Sequence, residues 1–379
     1  MPVRPFNIAV PGEKLARIRQ RLADTRYTYA PEDDGDWQYG MDITYLRDFV
    51  HYWHDHYDWR AAERELNRHP QYLCAIDGMD IHFIHIRSAD AVARPTLLLT
   101  HGWPGSTHEF HEAAERLAFP ERFGGDKTLG FDLVIPSLPG YGFSGRPPRP
   151  ISLRRVARMW RSLMVEHLGI VRFGVQGGDM GSTVSTWLAN DAPENVAALH
   201  FNLCFPPPHT DMQPDEKVWR EQAQARIMSD GGYWIEHMTR PQTIAIALAD
   251  NPVGYAAWVL EKFHGWGDRS RPFESRYSRD WLITNLMIHL VNDATTSMIW
   301  MYRGVVEDLC QGDELRVNVP SAAAIYPGEW LPWPSRDIAS RYFAIAHWRE
   351  MPAGGHFAAL EEPASFAEDV AGFFNQVMR

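Results

Sequence analysis

Between residues 71 and 205 the chain repeats one texture: short runs rich in Ile, Val, Leu and Phe, each closed by Gly or Pro, with helix-length segments between several of them. The runs are Tyr72–Ile76, Ile81–Ile86, Thr96–Thr100, Leu133–Ser137, Phe173–Gln176 and Ala197–Leu203; Leu153–Leu168 is one intervening helical stretch. Uniformly apolar strands have no face to leave in water. Strands of this kind alternating with helices predict a mostly parallel sheet covered on both sides. Hydrophobic residues make 45% of the chain and charged residues 22%, so enough apolar surface exists to bury such a core.

The flanks read differently. Residues 1–70 are helical and aromatic, with Leu15, Ile18 and Leu22 at helical spacing and Leu46, Phe49, Trp53 and Tyr57 likewise. After Cys204-Phe205-Pro206-Pro207-Pro208 the strand texture stops. Helix-like segments follow at Asp215–Met228, Gly254–Phe263 and Arg279–Tyr302. Two strand-like runs, Leu315–Val319 and Tyr342–His347, and a helix over Pro363–Met378 close the chain. The expected division is a helical arm (1–70), a first core segment (71–205), a helical lid insertion (206–312) and a last core segment (313–379). The net charge of −11 disfavours nucleic acid as a partner. Cys74, Cys204 and Cys310 show no metal spacing and suit a reducing compartment. The first twenty residues carry Arg4, Lys14, Arg17 and Arg19 and no long apolar run, so a soluble, cytoplasmic protein without membrane insertion is expected.

The chemistry centres on Phe173-Gly174-Val175-Gln176-Gly177-Gly178-Asp179-Met180-Gly181-Ser182. A strand runs through a glycine-flanked turn into a helix, the G-x-Nu-x-G form in which a strained turn presents a nucleophile. Asp, not Ser, stands at the tip. A carboxylate is ionised at pH 7 and needs no base to attack an sp³ carbon that bears a strained or good leaving group. The resulting ester then needs a His base for its hydrolysis. Epoxides and alkyl halides are the substrates of such chemistry. The plainer alternative is that Asp179 only caps the next helix.

Two further segments bear on that choice. Thr96–Thr100 runs into His101-Gly102-Trp103-Pro104-Gly105-Ser106, a turn that in α/β-hydrolases supplies one oxyanion N–H while the residue after the nucleophile supplies the other. The candidates are Trp103 and Met180, and Trp103–Pro104 is a candidate cis peptide. His356, in Met351-Pro352-Ala353-Gly354-Gly355-His356-Phe357, follows the last strand-like run. Nucleophile, acid, then His is the α/β-hydrolase order. The acid should follow the preceding strand. Asp308, Asp313 and Glu314 precede Leu315–Val319 and fall at the wrong edge; Glu329 follows it, with Asp337 as competitor.

Two look-alikes are set aside. Gly140-Tyr141-Gly142-Phe143-Ser144-Gly145 spells G-x-G-x-x-G, but Arg146-Pro147-Pro148-Arg149-Pro150 cannot open the helix a dinucleotide needs. His51, His54, Asp55 and His56 could suggest a metal, yet they read as packed or solvated side chains.

The chain resembles the microsomal-type epoxide hydrolases of the α/β-hydrolase superfamily nearly end to end. The strings that carry this are Tyr45-Leu46-Arg47-Asp48-Phe49, Tyr52-Trp53, Ile81-His82-Phe83-Ile84-His85, the HGWPGS turn, Ile135 to Ser144, Gln176-Gly177-Gly178-Asp179, Thr239-Arg240-Pro241, Asp250 to Gly254, Leu260-Glu261-Lys262-Phe263 and Gly354-Gly355-His356-Phe357. The resemblance implies a helical lid after the sixth strand-like run, an arm wrapping core and lid, and two lid tyrosines that hydrogen-bond the epoxide oxygen. By position these fall on Tyr233 and Tyr302, with Tyr255 and Tyr277 as rivals. Some relatives carry Trp where this chain has Met180, so the pocket wall differs, and mammalian and insect relatives begin with a membrane anchor, which is not expected here.

The expectation is an epoxide hydrolase giving a vicinal diol through an Asp179 ester. His356, oriented by Glu329, acts as base, Tyr233 and Tyr302 as proton donors, and the Trp103 and Met180 N–H groups hold the oxyanion. No cofactor or metal is expected. The expected partner is a small apolar epoxide, and a homodimer is the one protein assembly considered. A dehalogenase with the same nucleophile is the nearest rival, and a non-catalytic binding protein the more distant one.

Overall fold

A computed structural model describes residues 2–87, 94–207, 212–310 and 315–378. Asp313, Glu314 and the expected boundary at 312/313 lie outside the described residues. Among the described residues, nine strands form one sheet in the order β1-β2-β3-β5-β4-β6-β7-β8-β9. They are β1 (Arg4–Phe6), β2 (Gln71–Ile76), β3 (Met79–Ile86), β4 (Thr96–Thr100), β5 (Asp132–Pro136), β6 (Phe173–Gly177), β7 (Val196–Phe201), β8 (Val317–Ile325) and β9 (Phe343–Glu350). The β1–β2, β2–β3 and β3–β5 pairs are antiparallel; β5-β4-β6-β7-β8-β9 run parallel.

Every residue of β4, β6 and β7 is buried, as strands covered on both faces require. The pleat divides them between two cores. Leu98, Val134, Val175 and Leu199 pack with Val156 and Trp160 of α5 (Leu153–Arg161) and Val184 and Leu188 of α6 (Asp179–Asp191). Leu97, Leu99, Leu133, Ile135 and Ala198 face the opposite way, onto α4 (His111–Ala118) and the C-terminal α16 (Pro363–Met378).

Two sequence expectations need correction. Before β2 the chain forms α1 (Gly12–Ala23), α2 (Ile43–Asp55) and α3 (Trp59–Leu66), but it is not purely helical. Arg4–Phe6 adds a strand to the sheet edge, in register Arg4↔Leu73. The stretch Arg279–Tyr302 is not one helix. It breaks after α12 (Arg279–Leu290), turns through Asp293 at φ 50°, and restarts as α13 (Ser297–Cys310), which places Tyr302 inside α13. Asn and Asp tolerate that left-handed backbone, and Asn292-Asp293 marks the break.

Among the described residues, seven helices lie between β7 and β8: α7 (Pro214–Asp230), α8 (Gly232–Thr239), α9 (Pro241–Ala249), α10 (Pro252–Trp266), α11 (Phe273–Arg276), α12 and α13. Among the described residues no helix is long and apolar enough to cross a membrane. The insertion is fastened to the sheet region at the start of α5. Asp308 of α13 accepts the Arg154 N–H at 3.2 Å, so this carboxylate satisfies a helix N-terminus and does not reach His356. One turn earlier, a Cβ at Gly304 would overlap the Ile151 carbonyl oxygen.

Gly304→Ala should therefore push α13 off α5 at a cost of about 3 kcal/mol. A lowered thermal midpoint checks this, and an unchanged one would show that the two helices can part freely.

Candidate active site

The loops at the C-terminal ends of the parallel strands build the site. β6 delivers the chain to Gly178, and Asp179 then starts α6 at φ +48°, a backbone that a side chain adopts only when packing holds it there. Packing does hold it. A Cβ at Gly177 would overlap the Gly181 backbone, and one at Gly181 would overlap the Thr100 carbonyl oxygen, so the turn is pressed onto the end of β4. Asp179 is not the cap of α6, which disposes of the plainer alternative. Its Oδ1 accepts the Trp103 N–H at 2.8 Å.

That N–H comes from the HGWPGS turn after β4. The Trp103–Pro104 peptide is cis, as the sequence suggested. A Cβ at Gly102 would overlap Asp179 Oδ1, so only glycine lets the two loops meet here. Met180 follows Asp179 in the first turn of α6, where backbone N–H groups have no helical acceptor. Its side chain lines the cavity described below, and its sulfur accepts the Tyr141 hydroxyl at 3.5 Å.

Glu329 and His356 come from the loops after β8 and β9. Gly328 donates its N–H to the Gly354 carbonyl at 2.9 Å, and Gly328 and Gly355 pair as an isolated parallel bridge, so the two loops are laced together. His356 Nδ1 lies 2.9 Å from Glu329 Oε2 and 3.1 Å from Oε1; its Nε2 lies 3.2 Å from Asp179 Oδ2. Burial would push the imidazole pKa down. The Glu329 and Asp179 carboxylates outweigh burial and hold it well above the ordinary value. The competitor Asp337 sits exposed at the start of α14 (Arg336–Ala339).

Asp179, Met180 and His356 open into a cavity of about 910 Å³, mouth included. Trp187, Leu203, Phe205, Trp234, Trp330 and Leu331 make much of its wall, and Tyr233 and Tyr302 belong to it too. Both tyrosines are 4% exposed. Their rings meet edge to face at 5.7 Å, and Trp103 stacks parallel to Tyr233 at 5.2 Å. Burial first, then the charge of Asp179, raises the Tyr233 pKa well above its ordinary value. Burial, Tyr233 and Asp179 do the same for Tyr302, so both stay neutral phenols able to donate. The rivals face elsewhere: the Tyr255 hydroxyl turns to the Met298 sulfur at 3.6 Å, and Tyr277 packs against Arg276 beside Glu361.

Sequence reading missed three carboxyl groups around this site. Glu109 lies against Gly105, and burial first, then the nearby charges of His356 and Asp179 in opposition, leaves its pKa pushed up to about 8. Asp268 accepts the Gly354 N–H at 3.1 Å, and Glu361 accepts the Asp268 N–H at 2.7 Å and the Phe357 N–H at 3.1 Å. Together they clamp the His356 loop to the end of α10, where the Trp266 carbonyl also accepts the His356 N–H at 3.1 Å. Among the described residues no group of His, Cys, Asp or Glu is arranged to hold a metal; His51 and His54 pair instead with Asp55.

Comparison with known proteins gives this geometry a family. Residues 3–110 match the family model described as epoxide hydrolase N terminus, and residues 95–228 match alpha/beta hydrolase fold. A Stigmatella aurantiaca protein, whose name assigns it provisionally to the epoxide hydrolases, is 40% identical over 99% of this chain and 85% of its own length. Epoxide hydrolase 1 of Sus scrofa is 32% identical over 98% of this chain and 88% of its own. The Aspergillus niger epoxide hydrolase structure superposes with a TM-score of 0.84 at 30% identity, covering 100% of this chain and 97% of that one. The chain therefore belongs to the epoxide hydrolase family, with the α/β-hydrolase fold.

Proposed function

We propose that the chain converts an apolar epoxide and water to a vicinal diol in two chemical steps, with Asp179 as nucleophile. The observation that carries this is the division of labour on one carboxylate. Asp179 Oδ1 rests on the Trp103 N–H while Oδ2 faces His356, and two neutral phenols share the same cavity wall. Oδ2 attacks a ring carbon; Tyr233 and Tyr302 donate to the departing oxygen, which a halide would not need. The product is an alkyl ester of Asp179 with a free hydroxyl.

Esterification removes the Asp179 charge, one of the two that hold the His356 pKa up. The His356 pKa then falls, the imidazolium gives up its extra proton to solvent, and the neutral ring can act as a base. It takes a proton from water as the water oxygen adds to the ester carbonyl carbon, whose oxyanion rests on the Trp103 and Met180 N–H groups. Glu329 remains to hold the imidazolium. The scheme uses only groups of the chain, water and epoxide. Helices α7–α13 act as the lid over this chemistry, and the aromatic wall suits a bulky apolar substituent. Cys74 and Cys204, both buried free thiols, support a cytoplasmic setting.

His356→Gln should open the ring and stall. Intact-mass spectrometry after mixing with styrene oxide should show one added substrate on Asp179, and no adduct should form in Asp179→Ala. An unmodified His356→Gln protein would sink the two-step scheme.

Asp179→Asn or Glu329→Gln should each lower the His356 pKa, because each removes a negative charge beside a group whose pKa both partners raise. An NMR pH titration of the ring reads this; an unshifted midpoint in both variants would remove the proposed charge switch.

Tyr233→Phe or Tyr302→Phe should each slow single-turnover ring opening by about 10²–10³-fold, the usual loss for one donor at a charge-developing oxygen. Ester hydrolysis should keep its rate. A double Phe variant that opens the ring at the parent rate would reject both assignments.

A further inference from the structure

The string Leu260-Glu261-Lys262-Phe263 has no part in the chemistry above, yet it places a buried cation at the lid's centre. The Lys262 side chain is 8% exposed. Its ammonium is ion-paired with the neighbouring Glu261, lies 4.8 Å from the centroid of the Tyr233 ring and 5.6 Å from that of Trp258. An ammonium ion loses strong hydration on burial, and one ion pair with a half-buried carboxylate does not replace it. Two aromatic rings lie within cation–π distance of it. Of these, Tyr233 is the phenol proposed above to protonate the epoxide oxygen.

We propose that Lys262 is a positioning residue for ring opening: its ammonium, held against the Tyr233 ring, favours the negative charge that builds on that phenol as its proton leaves. The proposal rests on the reading of Tyr233 as a donor. During alkylation the Asp179 carboxylate forms a bond to carbon, the ring C–O bond breaks, and the Tyr233 proton passes to the epoxide oxygen. The electron pair of the O–H bond stays on the phenol. When water later adds to the ester, His356 carries one water proton to the departing diol oxygen, and the other returns to Tyr233 as the carboxylate re-forms.

The surroundings make a cation valuable at this point. The charged and titratable groups that bear on Tyr233 are Asp179, Glu329 and Glu261, all acidic; Tyr302; His237; and Lys262. His356 lies beyond Trp266, held between Glu329 and Asp179. His237 meets the Tyr233 ring edge to face at 5.6 Å, but burial and then Lys262 itself push its pKa down to about 3, so it brings no charge. The acids oppose charge on the phenol, and Lys262 opposes them. A desolvated cation against an aromatic ring strengthens its attraction as that ring becomes anionic.

The test uses the full-length enzyme with styrene oxide, following ring opening and ester hydrolysis separately by quenched single-turnover measurement. Lys262→Met keeps length and packing while removing the charge; a thermal melt confirms that it folds. Ring opening should slow about tenfold, ester hydrolysis should not change, and the high-pH limb of the ring-opening profile should move to higher pH. Lys262→Arg should retain most of the rate. In a Tyr233→Phe background, Lys262→Met should add no further loss. Equal slowing in that background, slowing of ester hydrolysis, or a parent rate in Lys262→Met would each overturn the proposal. If Tyr233→Phe alone opens the ring at the parent rate, the donor assignment fails first and Lys262 falls with it, an outcome distinct from the others.

Discussion

The architecture depends on a turn of four residues pressed against the end of a strand. Gly177 and Gly181 leave no room for side chains, and in exchange Asp179 is held at a positive φ with its carboxylate clear of the helix it begins. A carboxylate in an ordinary first turn would bond the helix's own N–H groups and lose its freedom to attack. Here the N–H comes from another loop, through Trp103, and only a glycine at position 102 allows that approach. The parallel strands β4 and β6 end side by side, so the donor and the nucleophile meet with no intervening structure.

Around this carboxylate the site works by moving charge and little else. The buried His356 imidazolium is stable between the Glu329 and Asp179 carboxylates because each compensates for the burial of the ring. In the proposed scheme, ester formation on Asp179 would neutralise one of them, and the ring, its extra proton lost to solvent, would become a base. The same negative charge acts on both phenols, raising their pKa values and keeping their protons in place until substrate arrives. Burial comes first at both phenols and Glu329 first among the carboxylates raising His356, but Asp179 bears on all three groups.

Residues legible in the sequence were those whose backbone demands leave a mark. Asp179 is framed by glycines that sterics require, and His356 sits in a glycine-rich loop after a strand. Glu329 followed from the rule that catalytic groups of a parallel sheet share one edge, and the structure brings it to His356 while Asp308 serves a helix terminus and Asp337 stays exposed. The tyrosines left no such mark. A buried Tyr in a helix looks alike whether it faces a cavity, as Tyr233 and Tyr302 do, or a sulfur, as Tyr255 does. Only the resemblance singled out the first two. The β1 strand escaped because three residues including Pro5 have no periodicity, and its existence depends on an edge built seventy residues later.

Glu109, Asp268, Glu361 and Lys262 were invisible for a related reason: their roles arise from elements distant in sequence. Asp268 at the end of α10 and Glu361 in α15 (Ala358–Glu361) hold the His356 loop from the lid side and the sheet side at once. That geometry has a mechanical consequence. The α7–α13 insertion does more than cover the cavity, because its α10 end carries backbone and carboxylate contacts that fix His356, while its α8 and α13 carry Tyr233 and Tyr302. A lid displaced far enough to part Trp266 from His356 would lose donors and base alignment together.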